Sequence, residues 1–365
     1  WKARQGTKPT KDTIMEQLSD EIAALRQRLG DAVSIMGHHY QSDAVVAFCD
    51  VTGDSLELAR RIPDIHARHI VFCGVHFMGE SAALLAAPQQ AVHLPAPDAD
   101  CEMARMAPAA QARAVLERLR TLGRKITPLA YVNTTLALKA VVGEFGGAVC
   151  TSANAAVMLR WALEQGDGVL FLPDRNLGRN TARQLGMAED DWHTLTLDAN
   201  GLAAAEEGHP GLRRRLLLWP GCCPIHDVMP AAAVAEARAA FPGCRVTAHP
   251  ECGPDLIHAC DGAGSTSYLI REAERLAASE TPPVLVMGTE VNLVNRLAAR
   301  FAGRCRIVPL TRDAICPDMA KVTLSHLRDT LAAVENDTAA PLRIDPDLAV
   351  PARATLDRML DVCNR

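Results

Sequence analysis

The chain has 365 residues, 48% of them apolar and 22% charged, which is the profile of a soluble globular protein with two or three domains. A net charge of −5 argues against a general nucleic-acid binder, and no run of about 18 apolar residues exists to span a membrane. The start, from Trp1 to Lys11, is polar without an apolar h-region, so no secretory signal is expected and a cytoplasmic location is. The twelve cysteines are then expected as free thiols. None forms a Cys-x-x-Cys pair, which removes zinc ribbons, thioredoxin-like sites and ferredoxin-type runs, so metal ligands would have to converge from distant loops.

In chain order, residues 1–30 carry an amphipathic helix over Asp12–Leu29, with Ile14, Leu18, Ile22, Leu25 and Leu29 on one face. Aliphatic runs ending in polar or Gly-rich residues then alternate with helical patterns, as in parallel α/β structure. The alternation falls into three units of one order. The first, residues 31–125, runs from Val33–Met36 into Gly37-His38-His39-Tyr40. It continues through Gly53-Asp54-Ser55, then Ile70–Phe72 into Gly74-Val75-His76-Phe77, then Ala91–Leu94 before Cys101. The second, residues 126–230, runs Pro128–Ala130 into Tyr131-Val132-Asn133. Thr151-Ser152-Ala153-Asn154 and Pro173-Asp174-Arg175-Asn176 follow, and its last strand, Arg215–Trp219, ends at Pro220-Gly221-Cys222-Cys223. The third, residues 231–318, runs Arg245–Thr247 into His249-Pro250-Glu251. Gly264-Ser265-Thr266-Ser267 and Gly288-Thr289-Glu290 follow, and Ile307–Leu310 precedes Cys316. Residues 319–365 read as a closing helix, Met319 to Val334, and a loosely packed tail with Pro341, Pro346 and Pro351 that ends in a short helix.

Each unit thus reads β-α-β-α-β-α-β with a cysteine just past its last strand. The expected fold is α/β: three pseudo-threefold-related three-layer αβα domains, each with a four-stranded parallel sheet, around a central site. Ligands bind off the carboxyl ends of such strands. Three edges facing one centre would bring Cys101, Cys316 and one of Cys222 and Cys223 together. Any single cysteine is more readily a small buried hydrophobe, and Cys49, Cys73, Cys150, Cys244, Cys260 and Cys305 are read that way. The cysteines after the three last strands suit an iron–sulfur cluster, with three thiolates leaving one iron open.

The loops at Asp54-Ser55, Ser152 and Ser265-Thr266 each open a helix, where free backbone amides favour phosphate or carboxylate. A single such loop is a plain helix cap; three equivalent ones suggest an anion site. The first-strand ends pair His38 with Tyr40, Tyr131 with Asn133, and His249 with Glu251, two residues apart and so on one face of an extended chain. Such pairs suit acid–base and carbonyl-orienting work, with Glu251, the one carboxylate among them, as general base. His39 should turn the other way.

These blocks, with Tyr131-Val132-Asn133-Thr134, Pro173-Asp174-Arg175-Asn176-Leu177-Gly178, His249-Pro250-Glu251-Cys252 and Met287-Gly288-Thr289-Glu290, make residues 12–335 resemble the quinolinate synthase family. The resemblance implies three αβα domains around a [4Fe–4S] cluster. It also implies condensation of iminoaspartate with dihydroxyacetone phosphate to give quinolinate, phosphate and two waters for NAD biosynthesis, with a functional hand-off from an L-aspartate oxidase. By the same resemblance Cys101, Cys223 and Cys316 match the cluster ligands, Cys223 rather than Cys222 because Cys-Pro-Ile-His follows it. His38, Ser55, Tyr131, Asn133, Ser152, His249, Glu251, Ser265 and Thr266 match substrate-binding positions, and Glu251, Tyr40, His38 and His249 are the catalytic candidates. The chain departs from the family in Gly37, where Ala is frequent, and in lacking a Cys-x-x-Cys-x-x-Cys run at Cys316, so no redox disulfide is expected there. A non-catalytic electron carrier or oxygen sensor is the competing reading, but neither needs the polar strand ends. A zinc hydrolase is disfavoured by three thiolates with no nearby His ligand.

Overall fold

In a computed structural model, residues 10–364 are described; the polar start up to residue 9 lies outside the described residues. Fifteen strands are present among them. The first unit holds β1 (Val33–His38), β2 (Val51–Gly53), β3 (His69–Cys73) and β4 (Ala91–His93). The second holds β5 (Ile126–Tyr131), β6 (Ala148–Cys150), β7 (Gly168–Leu172), β8 (Trp192–Thr194), a hairpin of β9 (Leu197–Asp198) and β10 (Gly201–Leu202), and β11 (Leu216–Leu218). The third holds β12 (Arg245–Ala248), β13 (Gly262–Ala263), β14 (Leu285–Gly288) and β15 (Ile307–Pro309).

The sheets run β2-β1-β3-β4, β6-β5-β7-β11-β8 and β13-β12-β14-β15, and within each every pair is parallel. Their strands are aliphatic on both faces because helices cover both sides, and β5, β7 and β11 are buried at every residue. In each sheet the first strand lies between the second and the third, so the chain reverses its direction of travel at that strand. Such a switch point opens a crevice at the strand's carboxyl end. His38, Tyr131 and the step from Ala248 to His249 stand at the three crevices.

Three expectations change. The middle sheet has five strands rather than four: the chain between the helix Arg175–Gln184 and β11 lays β8 beside β11. The buried Glu206 carboxylate pins this insertion, accepting from the Thr196 amide at 2.8 Å and lying 2.9 Å from His193 Nε2. The tail is also not loose. Its helix runs Pro346–Cys363, with Pro346 in the first turn where no amide is needed, and buries Ala352, Leu356 and Met359. It docks on the helix Leu136–Glu144, where Gly143 meets the Pro351 carbonyl with no room for a Cβ. A Gly143→Ala substitution is therefore expected to cost about 1–3 kcal/mol in denaturant unfolding. An unchanged midpoint would mean that the helix does not dock in solution.

The closing helix comes as two pieces, Pro317–Ala320 and Leu324–Glu335, because Thr323 caps the second through the His326 amide at 3.2 Å. That second piece packs on the N-terminal helix Lys11–Leu29, which buries Ile22 and Leu25 while Ile14 stays exposed. No described helix is long and apolar enough to cross a membrane.

Candidate functional site

One backbone device recurs at all three carboxyl edges. The amide of His76, Arg175 and Val291, each the first residue of the helix after its unit's third strand, donates to the carbonyl of Ala99, Gly221 and Ala314 at 2.7, 2.8 and 2.9 Å. In each case the acceptor lies two residues before a cysteine: Cys101, Cys223 and Cys316. Each of these cysteines then caps a one-turn helix, Glu102–Arg105, Pro224–Asp227 and Pro317–Ala320, with extended backbone that leaves the amides of the turn facing its sulfur. Pro at the first helical position of two of the turns presets their start.

Carboxylates hold the cysteine backbones as well. Asp100 Oδ1 accepts from the Cys101 amide at 2.8 Å, Asp174 Oδ2 from the Cys223 amide at 3.2 Å, and Glu290 faces the amide of Cys316. Cys222 falls outside this pattern. Its sulfur lies 3.4 Å from Asp227 Oδ2 and away from the other three, its thiol pushed up to about 11 by burial.

The three cysteines line one chamber together with His38, Tyr40, Ser55, Tyr131, Asn133, Ser152, His249, Glu251 and Thr266. Of the residues singled out in the sequence only Ser265 stays outside, because it is the helix cap, accepting from the Tyr268 amide at 3.4 Å. Thr266 is turned inward instead. Asp54 rather than Ser55 caps the first loop's helix, accepting from the amides of Leu56 and Glu57 at 3.0 and 2.9 Å, which frees the Ser55 hydroxyl for the chamber. His39 turns outward to Glu57, 3.6 Å away. Buried Asn133 Oδ1 and Thr266 Oγ1 have no hydrogen-bond partner among the described residues, a cost of about 1–3 kcal/mol each unless a ligand supplies one.

Burial raises the pKa of all three thiols. Cys316 raises Cys101 further, Glu251 and Cys101 raise Cys223, and the amides of each capped turn work the other way. Three converging thiols that resist ionisation without a counter-charge fit a multivalent cationic centre, whose own charge would deprotonate them. Among the described residues no fourth cysteine lines the chamber.

A chain of polar contacts runs across the chamber wall. Tyr40 Oη lies 2.8 Å from Thr289 Oγ1, which lies 3.2 Å from His226 Nε2; His226 Nδ1 lies 2.7 Å from Glu251 Oε2 and 3.3 Å from Cys223 Sγ. Tyr131 donates to Glu251 Oε1 at 2.5 Å, and His249, stacked on His226 at 4.7 Å, lies 3.2 Å from Ser152 Oγ through Nε2. Burial alone would raise the Glu251 carboxyl, yet His249, His226 and the Tyr131 hydroxyl hold it below the usual carboxylate range. Burial and Glu251 push both tyrosine hydroxyls up. His226 and Thr289 were missed as functional candidates; the spacing Cys223-Pro224-Ile225-His226 was the available signal, since one helical turn brings the ring back to the sulfur.

Burial lowers His38 from 6.5 to about 3 and His249 to about 4. The unfolded chain protonates these imidazoles below about pH 6.5 and the folded chain only near 4 or below, so their contribution to stability is complete above 6.5 and is lost as the pH falls. The Tm is accordingly expected to drop between pH 7 and pH 5, as calorimetry can check. Burial raises the Glu290 carboxyl to about 7, which works the other way over this range, so wild type is compared with His38→Gln; equal pH dependence in the two would show that the His38 ring does not supply the drop.

Residues 20–361 match the family model described as quinolinate synthetase A protein. Relatives named quinolinate synthase include those of Acidobacterium capsulatum, 38% identical over 94% of this chain and 93% of the relative, and Streptomyces coelicolor, 40% identical over 92% and 86%. That of Bacillus subtilis is 37% identical over 96% of this chain and 95% of its own. Similarity of this depth over residues 20–361 makes the chain a member of the quinolinate synthase family.

Proposed function

We propose that the chain is a quinolinate synthase, acting in NAD biosynthesis in the cytoplasm. It joins iminoaspartate to dihydroxyacetone phosphate and releases quinolinate, phosphate and two waters. The observation that carries this reading is the meeting of Cys101, Cys223 and Cys316 with the Tyr40–Thr289–His226–Glu251 chain in one chamber. Cys101, Cys223 and Cys316 would hold a [4Fe–4S] cluster, which supplies Lewis-acid chemistry through its open iron when bound.

The protein's own groups do the rest. Ser55, Ser152 and Thr266 donate their hydroxyls to the phosphate and carboxylate oxygens, which gives Thr266 Oγ1 its missing partner, while Asn133 Oδ1 accepts from a substrate O–H or N–H. Glu251, kept ionised by its neighbours, takes the protons lost as the carbon–carbon and carbon–nitrogen bonds form. The Tyr40 hydroxyl, tied through Thr289 to His226, returns protons to the hydroxyls that leave as water. His38 and His249, neutral at pH 7, donate hydrogen bonds rather than charge. Because iminoaspartate is short-lived in water, a functional hand-off from an L-aspartate oxidase fits the same scheme. Anaerobic incubation of the iron-loaded protein with both substrates is expected to yield quinolinate by chromatography; no product from fully loaded protein would refute the assignment.

A further inference from the structure

The chamber has an electrostatic difficulty. Among the described residues no lysine or arginine lines it, while Asp54, Glu251 and Glu290 do, and His38 and His249 are neutral at pH 7. Both reactants of the proposed reaction are dianions, and so is the product. Among the described residues of the inner wall no cationic side chain attracts them from a distance.

Beside it lies a wider vestibule of about 880 Å³, and Asp54 and Ser152 line both cavities. Its cations come from equivalent places in the fold. Arg60 stands six residues after the helix cap Asp54, and Arg271 six residues after the helix cap Ser265. Both are exposed, and neither has a hydrogen-bond or ion-pair partner among the described residues. The carboxylates nearby are engaged: Asp54 caps its helix and accepts from Ser267 Oγ at 2.5 Å, while Glu57 accepts from the Asp54 amide and faces His39. A third arginine of the lining, Arg183, is paired with Glu189 at 2.7 Å. Arg60 and Arg271 are therefore the unengaged arginines of the vestibule.

The second unit supplies an internal control. Arg160 stands six residues after the helix cap Asn154, yet it does not line the vestibule. On that side the end of the C-terminal helix forms the lining with Val362 and Cys363.

We propose that the vestibule is an anion antechamber in which Arg60 and Arg271 capture phosphorylated and dicarboxylate dianions before they enter the chamber. This rests on the proposed synthase activity. Two guanidinium groups at a mouth with low-dielectric walls raise the local dianion concentration and the entry rate, an effect that salt screens over about 8 Å at physiological strength. They touch no reacting atom, so they act on capture and not on chemistry.

The test uses the iron-loaded enzyme, varying each substrate at saturation of the other. The double variant Arg60→Gln/Arg271→Gln is expected to lower kcat/KM about tenfold, with kcat at saturation and the cluster absorbance preserved. The fall of wild-type kcat/KM between about 0.01 and 0.3 M salt should flatten in that variant and persist in Arg160→Gln. A loss confined to one substrate assigns the antechamber to the phosphate or to the dicarboxylate. Equal kcat/KM and equal salt dependence in wild type and double variant overturn the proposal. Should wild-type protein make no quinolinate, the synthase reading fails and the antechamber is decided separately by 31P line-broadening with inorganic phosphate. Broadening by wild type and Arg160→Gln but not by the double variant supports it; equal broadening or none overturns it.

Discussion

Glu251→Gln protein is expected to lose turnover by about two to four orders of magnitude while keeping its cluster. The amide is nearly isosteric and can still accept from the Tyr131 hydroxyl, so the chamber keeps its shape. What it cannot do is accept a proton at an oxygen held ionised by two imidazoles and a phenol. The carboxylate lies 2.7 Å from His226, which itself lies 3.3 Å from Cys223, so a merely structural role would disturb the cysteine loop instead. Anaerobic kcat measured beside the visible absorbance separates the two. Lost activity with an intact spectrum is the expected result; a lost spectrum would make Glu251 a structural support.

Replacement of one cysteine should have an effect of similar size by a different route. Cys223→Ala is expected to bring iron content and quinolinate formation close to zero, as are Cys101→Ala and Cys316→Ala, since a cluster held by only two thiolates is poorly retained. Cys222→Ala, one residue away, is expected to keep both. The two residues differ in register: Cys223 stands two residues past the Gly221 carbonyl, as Cys101 does past Ala99 and Cys316 past Ala314, whereas the Cys222 thiol faces Asp227. A Cys223→Ala protein that retained full iron would move the ligand to Cys222.

Much of this arrangement was legible in the residues because it is local. Strand, polar turn and helix follow one another within about thirty residues, and alternation along a strand sets which side chains share a face. That is enough to place His38, Tyr131, His249 and Glu251 at strand ends. Other features depend on what packs against them. β8 is three residues beside an acidic run, and only its pairing with β11 makes it a strand. The helix Pro346–Cys363 looked like a proline-broken tail because the groove beside Gly143 that receives Pro351 belongs to a segment two hundred residues earlier. Ser265 and Thr266 are adjacent and chemically alike; which one caps the helix and which one enters the chamber is decided by the turn geometry. Thr289 gains its place only through contacts with Tyr40 and His226 from the other two units.

The most direct test of the account is to titrate iron and sulfide into anaerobic apoprotein and measure quinolinate formed from iminoaspartate and dihydroxyacetone phosphate at each loading. Activity should be absent from the apoprotein, rise with loading and level off near four irons per chain. Quinolinate formation by iron-free protein, or none at full loading, would contradict a synthase built on Cys101, Cys223 and Cys316.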